Sequence, residues 1–206
     1  MFTGIITHQG VFKGFREGRR VLAVEASGLA AKAAAGDSVA VNGTCLTVAG
    51  AEGGTLLFGL SRETVERTSL GGLRPGDRLN LELPLTLSAP LGGHMVTGHV
   101  DGVGRVTKVV RRPPGRRLTV SFPAGLRPFL VPKGSVAVDG VSLTVAALSP
   151  AAFDVELIPV TLDTTNLGRL RAGAAVNIEC DIIGKYVYNY LFERERRGAR
   201  RPLGTG

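Results

Sequence analysis

Hydrophobic residues recur in short runs along residues 1–181, and the runs are bounded by Gly, Asn, Asp and Pro. Within a run, apolar and polar residues alternate or a few apolar residues follow one another, which is typical of β-strands. In the first half the pattern predicts strands separated by tight turns, with one short helix or helical turn near residues 61–69. The clearest strands are predicted at residues 21–24, 38–41, 45–48, 55–60 and 78–83.

Two of the predicted turns carry Asn42-Gly43 and Asp139-Gly140 between hydrophobic runs. Both central residues of a type I′ turn need a positive φ, which Asn, Asp and Gly tolerate better than other residues. The sequence therefore predicts a β-hairpin at each place.

Beyond residue 181 the hydrophobic spacing changes to steps of three and four, which predicts an amphipathic helix. Its apolar stripe needs a surface to pack on, either the same chain or other copies of it, and both alternatives stay open. The stripe consists of Ile182, Ile183, Tyr186, Val187, Tyr190 and Leu191.

An internal repeat organises these elements. Residues 38–49 match residues 135–146 at nine of twelve positions, at an offset of 97 residues. The same offset aligns 61–82 with 158–179, where nine of 22 residues are identical. Because unrelated segments do not match at one fixed offset, the chain is predicted to be a duplication.

The two copies fix the predicted domain boundaries and the fold class. Five or six short strands in each copy favour a small antiparallel barrel, with a sandwich as the alternative. A linker at residues 85–94, rich in Pro, Ser and Gly, joins the copies. The predicted domains are residues 1–94, residues 95–183 and, for the C-terminal helix and its basic tail, residues 184–206.

The net charge of +8 raises nucleic acid as a partner, but the excess is local. The first copy, residues 1–94, carries nine basic and eight acidic residues. Much of the remainder lies in the arginine-rich turn at 111–117 and in the tail, and neither is interleaved with aromatic residues for base stacking. We therefore expect solvated charge there and no nucleic acid partner.

Other compositional features exclude further classes. Two cysteines and three histidines without metal-ligand spacing predict no metal site, and no apolar run is long enough for a membrane span. The N-terminal residues do not have the pattern of a signal peptide, so we expect a cytoplasmic protein without membrane association.

Positions at which the copies differ chemically are candidates for a site. Cys45 aligns with Ser142, Asn42 with Asp139, and Ile5 with His99. With Thr144 and Lys133, the second copy thus gathers a hydroxyl, a base and a carboxylate, a combination that can activate a nucleophile. No hydrolase motif surrounds Ser142, and each residue also has an ordinary structural interpretation as a strand, turn or surface residue.

Several motifs in fixed order resemble the riboflavin synthase family: MFTGI, the pair VNGTCLTV and VDGVSLTV, GGHMVTGHVDG, TTNLG and NIECDIIGKYV. The resemblance implies an all-β fold of two tandem homologous six-stranded antiparallel Greek-key barrels plus a C-terminal α-helix. It also implies a homotrimer, held together in part by that helix. One 6,7-dimethyl-8-ribityllumazine would bind to each barrel, and the active site would form between the N-terminal barrel of one subunit and the C-terminal barrel of the next.

The implied reaction is the last step of riboflavin biosynthesis, in which one lumazine transfers a four-carbon unit to another. The products are riboflavin and 5-amino-6-ribitylaminouracil, and no cofactor or metal takes part. Association with lumazine synthase is a further partner that the resemblance suggests. The alternative in the same fold is a noncatalytic lumazine or flavin carrier, and a more distant one is a barrel that binds single-stranded nucleic acid.

Site residues are carried over by motif. Ser142, with water or Thr144, would supply the nucleophile, and His99 with Asp181 would handle protons. The implied catalytic residues are His99, Lys133, Asp139, Ser142, Thr144, Asp181 and Cys45. The implied lumazine-binding residues of the N-terminal barrel are Gly4, Ile5, Ile6, Ser38, Cys45, Leu46, Thr47, Gly59, Leu60, Ser61, Arg62, Glu63 and Thr64. Those of the C-terminal barrel are Gly98, His99, Val100, Lys133, Ser142, Leu143, Thr144, Leu157, Ile158, Pro159, Val160, Thr161 and Leu162.

Two positions depart from the family pattern. Val160 stands opposite Glu63 where a polar residue is usual, and Thr44 precedes Cys45 where some members have a second cysteine. Val160 puts the ring contacts at that position in question.

Overall fold

The computed structural model describes residues 1–199, which form two closed antiparallel barrels followed by a long helix. The strands of the first barrel are β1 His8–Arg16, β2 Val21–Glu25, β3 Ser38–Val41, β4 Thr44–Glu52, β5 Thr55–Gly59 and β6 Arg78–Glu82. Those of the second are β7 Gly102–Arg112, β8 Gly115–Ser121, β9 Ser135–Val138, β10 Val141–Leu148, β11 Ala152–Leu157 and β12 Ala175–Cys180. The α-helices are α1 Ser27–Ala30, α2 Arg62–Arg67, α3 Pro159–Thr164 and α4 Ile182–Ala199, and 3₁₀ segments lie at Glu17–Arg19, Ser69–Gly72, Ala124–Phe129 and Asn166–Arg169.

Both barrels have the same strand order. In the first it is β1-β2-β5-β4-β3-β6, closed by pairing of β1 with β6, and the second repeats it with β7 to β12. The long connection from β2 to β3 brings β5 back beside β2, which is a Greek key. The predicted barrels are therefore confirmed, and the sandwich alternative is excluded because each sheet closes on itself.

Alternation along the strands fills each barrel. Inward positions such as Leu22 and Phe58 in the first barrel and Leu118 and Val155 in the second are completely buried. The predicted strand at 45–48 is longer than expected and reaches Glu52, because its end pairs with β5 beyond a bulge.

The two hairpin turns hold the barrels together. Asn42 and Asp139 both have a φ of 44°, and the glycines that follow have φ values of 74° and 78°, as type I′ turns require. The turns also touch each other, since a Cβ added to Gly43 would lie 2.6 Å from the backbone nitrogen of Gly140. Glycine is thus needed here for conformation and for close approach of two backbones.

Helix α4 confirms the predicted C-terminal helix. It lies against the 3₁₀ segment Ala124–Phe129, where the rings of Phe129 and Tyr188 meet edge to face at 5.2 Å. The opposite face remains open, with Tyr186 71% and Tyr190 67% exposed. The same chain therefore covers only part of the apolar stripe.

Residues 200–206, including Arg200 and Arg201 of the basic tail, lie outside the described residues. The arginine-rich turn at 111–117 is the tip of the β7–β8 hairpin, and Arg111 and Arg112 are exposed as expected. Arg116 and Arg117 differ from the expectation of solvated charge, because both are partly buried: Arg116 donates to the carbonyl of Gly168 at 2.8 Å, and Arg117 pairs with Glu156 at 2.6 Å. In the described part of the chain, no helix is long and apolar enough to cross a membrane.

Candidate active site

Two buried glutamates hold the segments that precede the barrels. Glu82 accepts hydrogen bonds from the backbone nitrogen and hydroxyl of Thr3, both at 2.7 Å, and from the nitrogen of Gly4 at 3.0 Å. Glu179 holds Thr97 and Gly98 in the same way, at 2.6–2.9 Å. Burial raises the pKa of both carboxyls, and the hydrogen bonds partly oppose this by stabilising the charged form.

The anchored segments cross between the barrels. Ser142 of the second barrel donates its backbone N–H to the carbonyl of Gly4, at 2.8 Å, and Cys45 of the first donates to the carbonyl of Gly98, at 2.9 Å. A Cβ on Gly4 would lie 2.7 Å from that of Ser142, and a Cβ on Gly98 2.5 Å from that of Cys45. Each copy therefore completes the outer surface of the other barrel, and the repeated Thr-Gly pair is the sequence signal for it.

The predicted residues Gly4 and Ile6 of the first barrel lie against the second barrel instead, Gly4 beside Ser142 and Ile6 against the hydrophobic core. Several of the other predicted residues lie on the outer face of the first barrel. Ser38 is paired with Thr47 across β3 and β4, and exposed Gly59 ends β5. Ser61 caps α2 by accepting the N–H of Thr64 at 3.0 Å. Leu46 and Leu60 belong to the hydrophobic core instead, so only their backbones are available on this face.

Two other predicted residues of this barrel, Arg62 and Glu63, are exposed. They form i,i+4 pairs within α2, Arg62 with Glu66 at 2.7 Å and Glu63 with Arg67 at 3.9 Å. Such exposed pairs contribute little stability, so both side chains remain available to a ligand.

The second barrel presents a corresponding but different face. Thr144 pairs with Ser135 across β9 and β10, and Leu143 and Leu157 point into the core. Ile158 and Val160 are each 58% exposed around Pro159, which makes the start of α3 apolar where α2 is polar. Thr161 and Leu162, also predicted, continue α3 and are partly buried.

Ser142 has a histidine partner that the sequence analysis missed. Its hydroxyl lies 2.7 Å from Nδ1 of His94, a residue assigned to the linker. His94 is buried, and its Nε2 is a buried side-chain polar atom without a protein partner in the described chain. Burial lowers the pKa of His94, and the charge of Asp181 partly opposes this, so the ring is neutral near pH 7.

The predicted histidine occupies a different position. His99 is exposed, and its backbone N–H is donated to the hydroxyl of Thr97 at 3.3 Å. Asp181 accepts the N–H of Ile183 at 3.0 Å and so caps α4. The side-chain partner of Ser142 is therefore His94, and Asp181 acts electrostatically on His94. His94 lies within the motif GGHMVTGHVDG, but it has no counterpart in the first copy, and only His99 of that motif was selected.

Lys133 lies next to strand β10, which carries Thr144, and has an unfavourable backbone conformation. Its φ is 66°, and its N–H is donated to the carbonyl of Val145 at 2.8 Å. The first copy has Gly36 at this place, with a φ of 95° and the same hydrogen bond to Val48. A lysine where the duplicate has glycine indicates a side chain kept despite strain.

Asp139 lies in a buried polar network between the barrels. Its oxygens accept hydrogen bonds from the backbone of Asn177 and the side chain of Asn166, at 2.8 and 2.9 Å. Complete burial raises its pKa to about 6, although the hydrogen bonds from Asn177 and Asn166 act to lower it. Asn80 and Asn177 each bridge to the hairpin turn of the other barrel. Asn80 and Asn177 are equivalent positions of the repeat and are both asparagine. This identity was the sequence signal that could have located the network.

The two cysteines lie in different environments. Burial raises the pKa of Cys180 to about 12, so its thiol is not ionised near neutral pH. Cys45 is only partly buried and faces outward beside Gly98. Among the described residues, no group of three or more His, Cys, Asp and Glu side chains could hold a metal ion.

Comparisons with known proteins agree with this architecture. A lumazine binding domain matches residues 3–84 and again residues 97–181. Riboflavin synthase of Bacillus amyloliquefaciens is 38% identical over 98% of this chain and 95% of its own, and that of Mycobacterium tuberculosis (strain H37Rv) is 42% identical over 91% and 96%. In fold, the chain is similar to LumP complexed with 6,7-dimethyl-8-(1'-D-ribityl) lumazine, with a TM-score of 0.78 and 23% identity over 87% of this chain and 99% of that one.

The duplicated barrels, the two matched domains and the full-length relatives lead to one assignment. The chain belongs to the riboflavin synthase family.

Proposed function

We propose that this protein converts two molecules of 6,7-dimethyl-8-ribityllumazine to riboflavin and 5-amino-6-ribitylaminouracil. The observation that carries the proposal is the contact between Ser142 and buried His94 on an outer barrel face completed by Gly4. The four carbons C6, C7 and their methyl groups leave one lumazine and join the other. Together the two products contain all atoms of the two substrates, so the reaction needs no oxidant or reductant.

His94 is suited to act as the base for Ser142. Its lowered pKa keeps the ring neutral, so Nδ1 can accept the hydroxyl proton while the oxygen, or a water held by it, adds to C7 of the donor lumazine. In that tautomer Nε2 carries a hydrogen and is a buried donor that has no acceptor among the described residues. A carbonyl oxygen of the substrate would satisfy it.

The acceptor lumazine does not need a strong base. Its 7-methyl group is acidic because the carbanion delocalises into the ring, so a modest base is sufficient. Holding the two rings face to face would supply much of the rate, since effective molarity contributes about 7–11 kcal/mol in well-oriented reactions. The proposal for binding keeps the predicted outer-face residues, with Lys133 and Thr144 on the second barrel, whereas His99 follows Gly98, which lies against Cys45 of the first barrel.

Turnover of the lumazine alone tests this function. We expect riboflavin absorbance to appear together with an equal amount of the aminouracil, without added cofactor. Tight binding of one lumazine to each barrel without product would instead indicate a carrier.

We also propose that the active site is shared between subunits of a homotrimer. The exposed Tyr186 and Tyr190 on α4 support this, because such a face is usually covered. Tyr186→Glu with Tyr190→Glu should lower both the sedimentation coefficient and turnover, whereas Leu87→Glu in the exposed linker should change neither. A fully active monomer would contradict the shared site. The predicted domain boundaries, the cytoplasmic location and the association with lumazine synthase stay predictions.

A further inference from the structure

A cleft of about 420 Å³ opens between the barrels. It is lined by residues at equivalent positions of the two copies. Asn42, Asp139 and Asn166 of the buried network line it, together with Ser69 and two arginines. Its volume is in the range of small-molecule sites. Apart from Asp139, none of the predicted lumazine-site residues lines it.

The two arginines, Arg78 on β6 and Arg169 at the end of the 3₁₀ segment Asn166–Arg169, also line an adjoining cavity of about 520 Å³. Neither side chain has an ion pair or side-chain hydrogen bond with any side chain that the structure describes. At the equivalent positions the other copy has Ala175 and Gly72, so each arginine is a difference between the duplicates. Two unpaired guanidinium groups beside one cleft are suited to a phosphate, whose oxygens match their planar donors.

None of the ion pairs in the described chain involves either arginine. Asp77 and Asp139 line the same cleft and Asp163 lines the adjoining cavity, but Asp77 accepts the backbone N–H of Arg74 at 2.7 Å and both oxygens of Asp139 accept amide hydrogen bonds. Both guanidinium groups can therefore pair with an anion without breaking an ion pair seen in the described chain.

The cleft also offers neutral polar groups. The side-chain N–H₂ of Asn42 and the hydroxyl of Ser69 have no hydrogen-bond partner among the described residues, although the Asn42 oxygen and the Ser69 N–H are both used. A hydroxyl-bearing ligand could pair with both groups. We propose that this cleft binds a small polyhydroxylated phosphomonoester, with the phosphate between Arg78 and Arg169 and hydroxyls against Asn42 and Ser69.

Calorimetric titration at constant ionic strength tests the proposal, with ribose 5-phosphate, inorganic phosphate and ribose as probes. We expect one ribose 5-phosphate per chain, bound at least tenfold more tightly than inorganic phosphate, and no detectable binding of ribose. Arg78→Gln and Arg169→Gln should each weaken binding at least tenfold. Arg112→Gln, which removes the same charge from an exposed position without an ion pair in the described part of the chain, should leave the affinity unchanged.

Three results would overturn the inference. They are the absence of binding, equal affinity for inorganic phosphate and ribose 5-phosphate, or equal weakening by Arg112→Gln. Lumazine turnover of all three variants, measured separately, reports on folding. Because the titration contains no lumazine, its failure is distinguishable from failure of the proposed reaction.

Discussion

Lys133→Gly should make the protein more stable and less active. The φ of 66° at Lys133 costs about 1–2 kcal/mol for a residue with a Cβ, and glycine does not have this cost. Glycine also gains about 0.4–1 kcal/mol of freedom in the unfolded chain. The net expectation is about 0.5–1 kcal/mol of added stability, or a Tm higher by about 1–4 °C for a chain of this size.

Lys133→Ala separates backbone strain from loss of the ammonium group. Alanine keeps the Cβ and therefore the strain, so its Tm should stay close to that of the wild type, whereas turnover should fall in both variants. Differential scanning calorimetry and initial rates of riboflavin formation measure the two effects. If Lys133→Gly melts below Lys133→Ala, strain at this position is not relieved by glycine and the reasoning fails. Full turnover of both variants would remove Lys133 from the proposed site.

Three further predictions test the interbarrel contacts and the proposed base. Gly98→Ala should lose about 2–4 kcal/mol of unfolding free energy, from a Cβ clash at 2.5 Å plus a φ of 81°, whereas Gly76→Ala, with a φ of 96° and open space, should lose only the conformational part; equal losses in urea unfolding would disprove the clash. The pKa of Asp139 rises from 3.8 to about 6 on folding, so the folded state keeps its proton to higher pH and the contribution of Asp139 to stability falls by about 3 kcal/mol in all as the pH rises from below 3 to above 7, with about 2 kcal/mol of this between pH 4 and pH 6. Asp139→Asn should therefore lack this decline in unfolding measured across that range, and an unchanged pH profile would contradict the assignment. His94→Ala and Ser142→Ala should each slow turnover, and the double variant should be no slower than the slower single one, because residues that act as a unit are not additive; multiplying effects would separate them.

The sequence by itself determined the duplication, the strands, the hairpins and the family. These follow from local physics: alternation specifies which side of a strand is buried, Asn-Gly and Asp-Gly specify the turns, and one fixed offset relates the two halves. Ser142 and Cys45 could be selected from the sequence because they differ between copies that are otherwise alike.

Only the tertiary structure decided which groups meet. His94 lies 48 residues from Ser142 and has no repeat partner, so nothing local linked it to the hydroxyl that it contacts. The crossing of Gly4 and Gly98 between barrels, and the direction of the Asp139 carboxylate into a buried amide network, also depend on how two closed barrels pack. Hydrogen bonding and burial across such distances depend on three-dimensional packing, and it is these contacts that set the pKa values of His94 and Asp139.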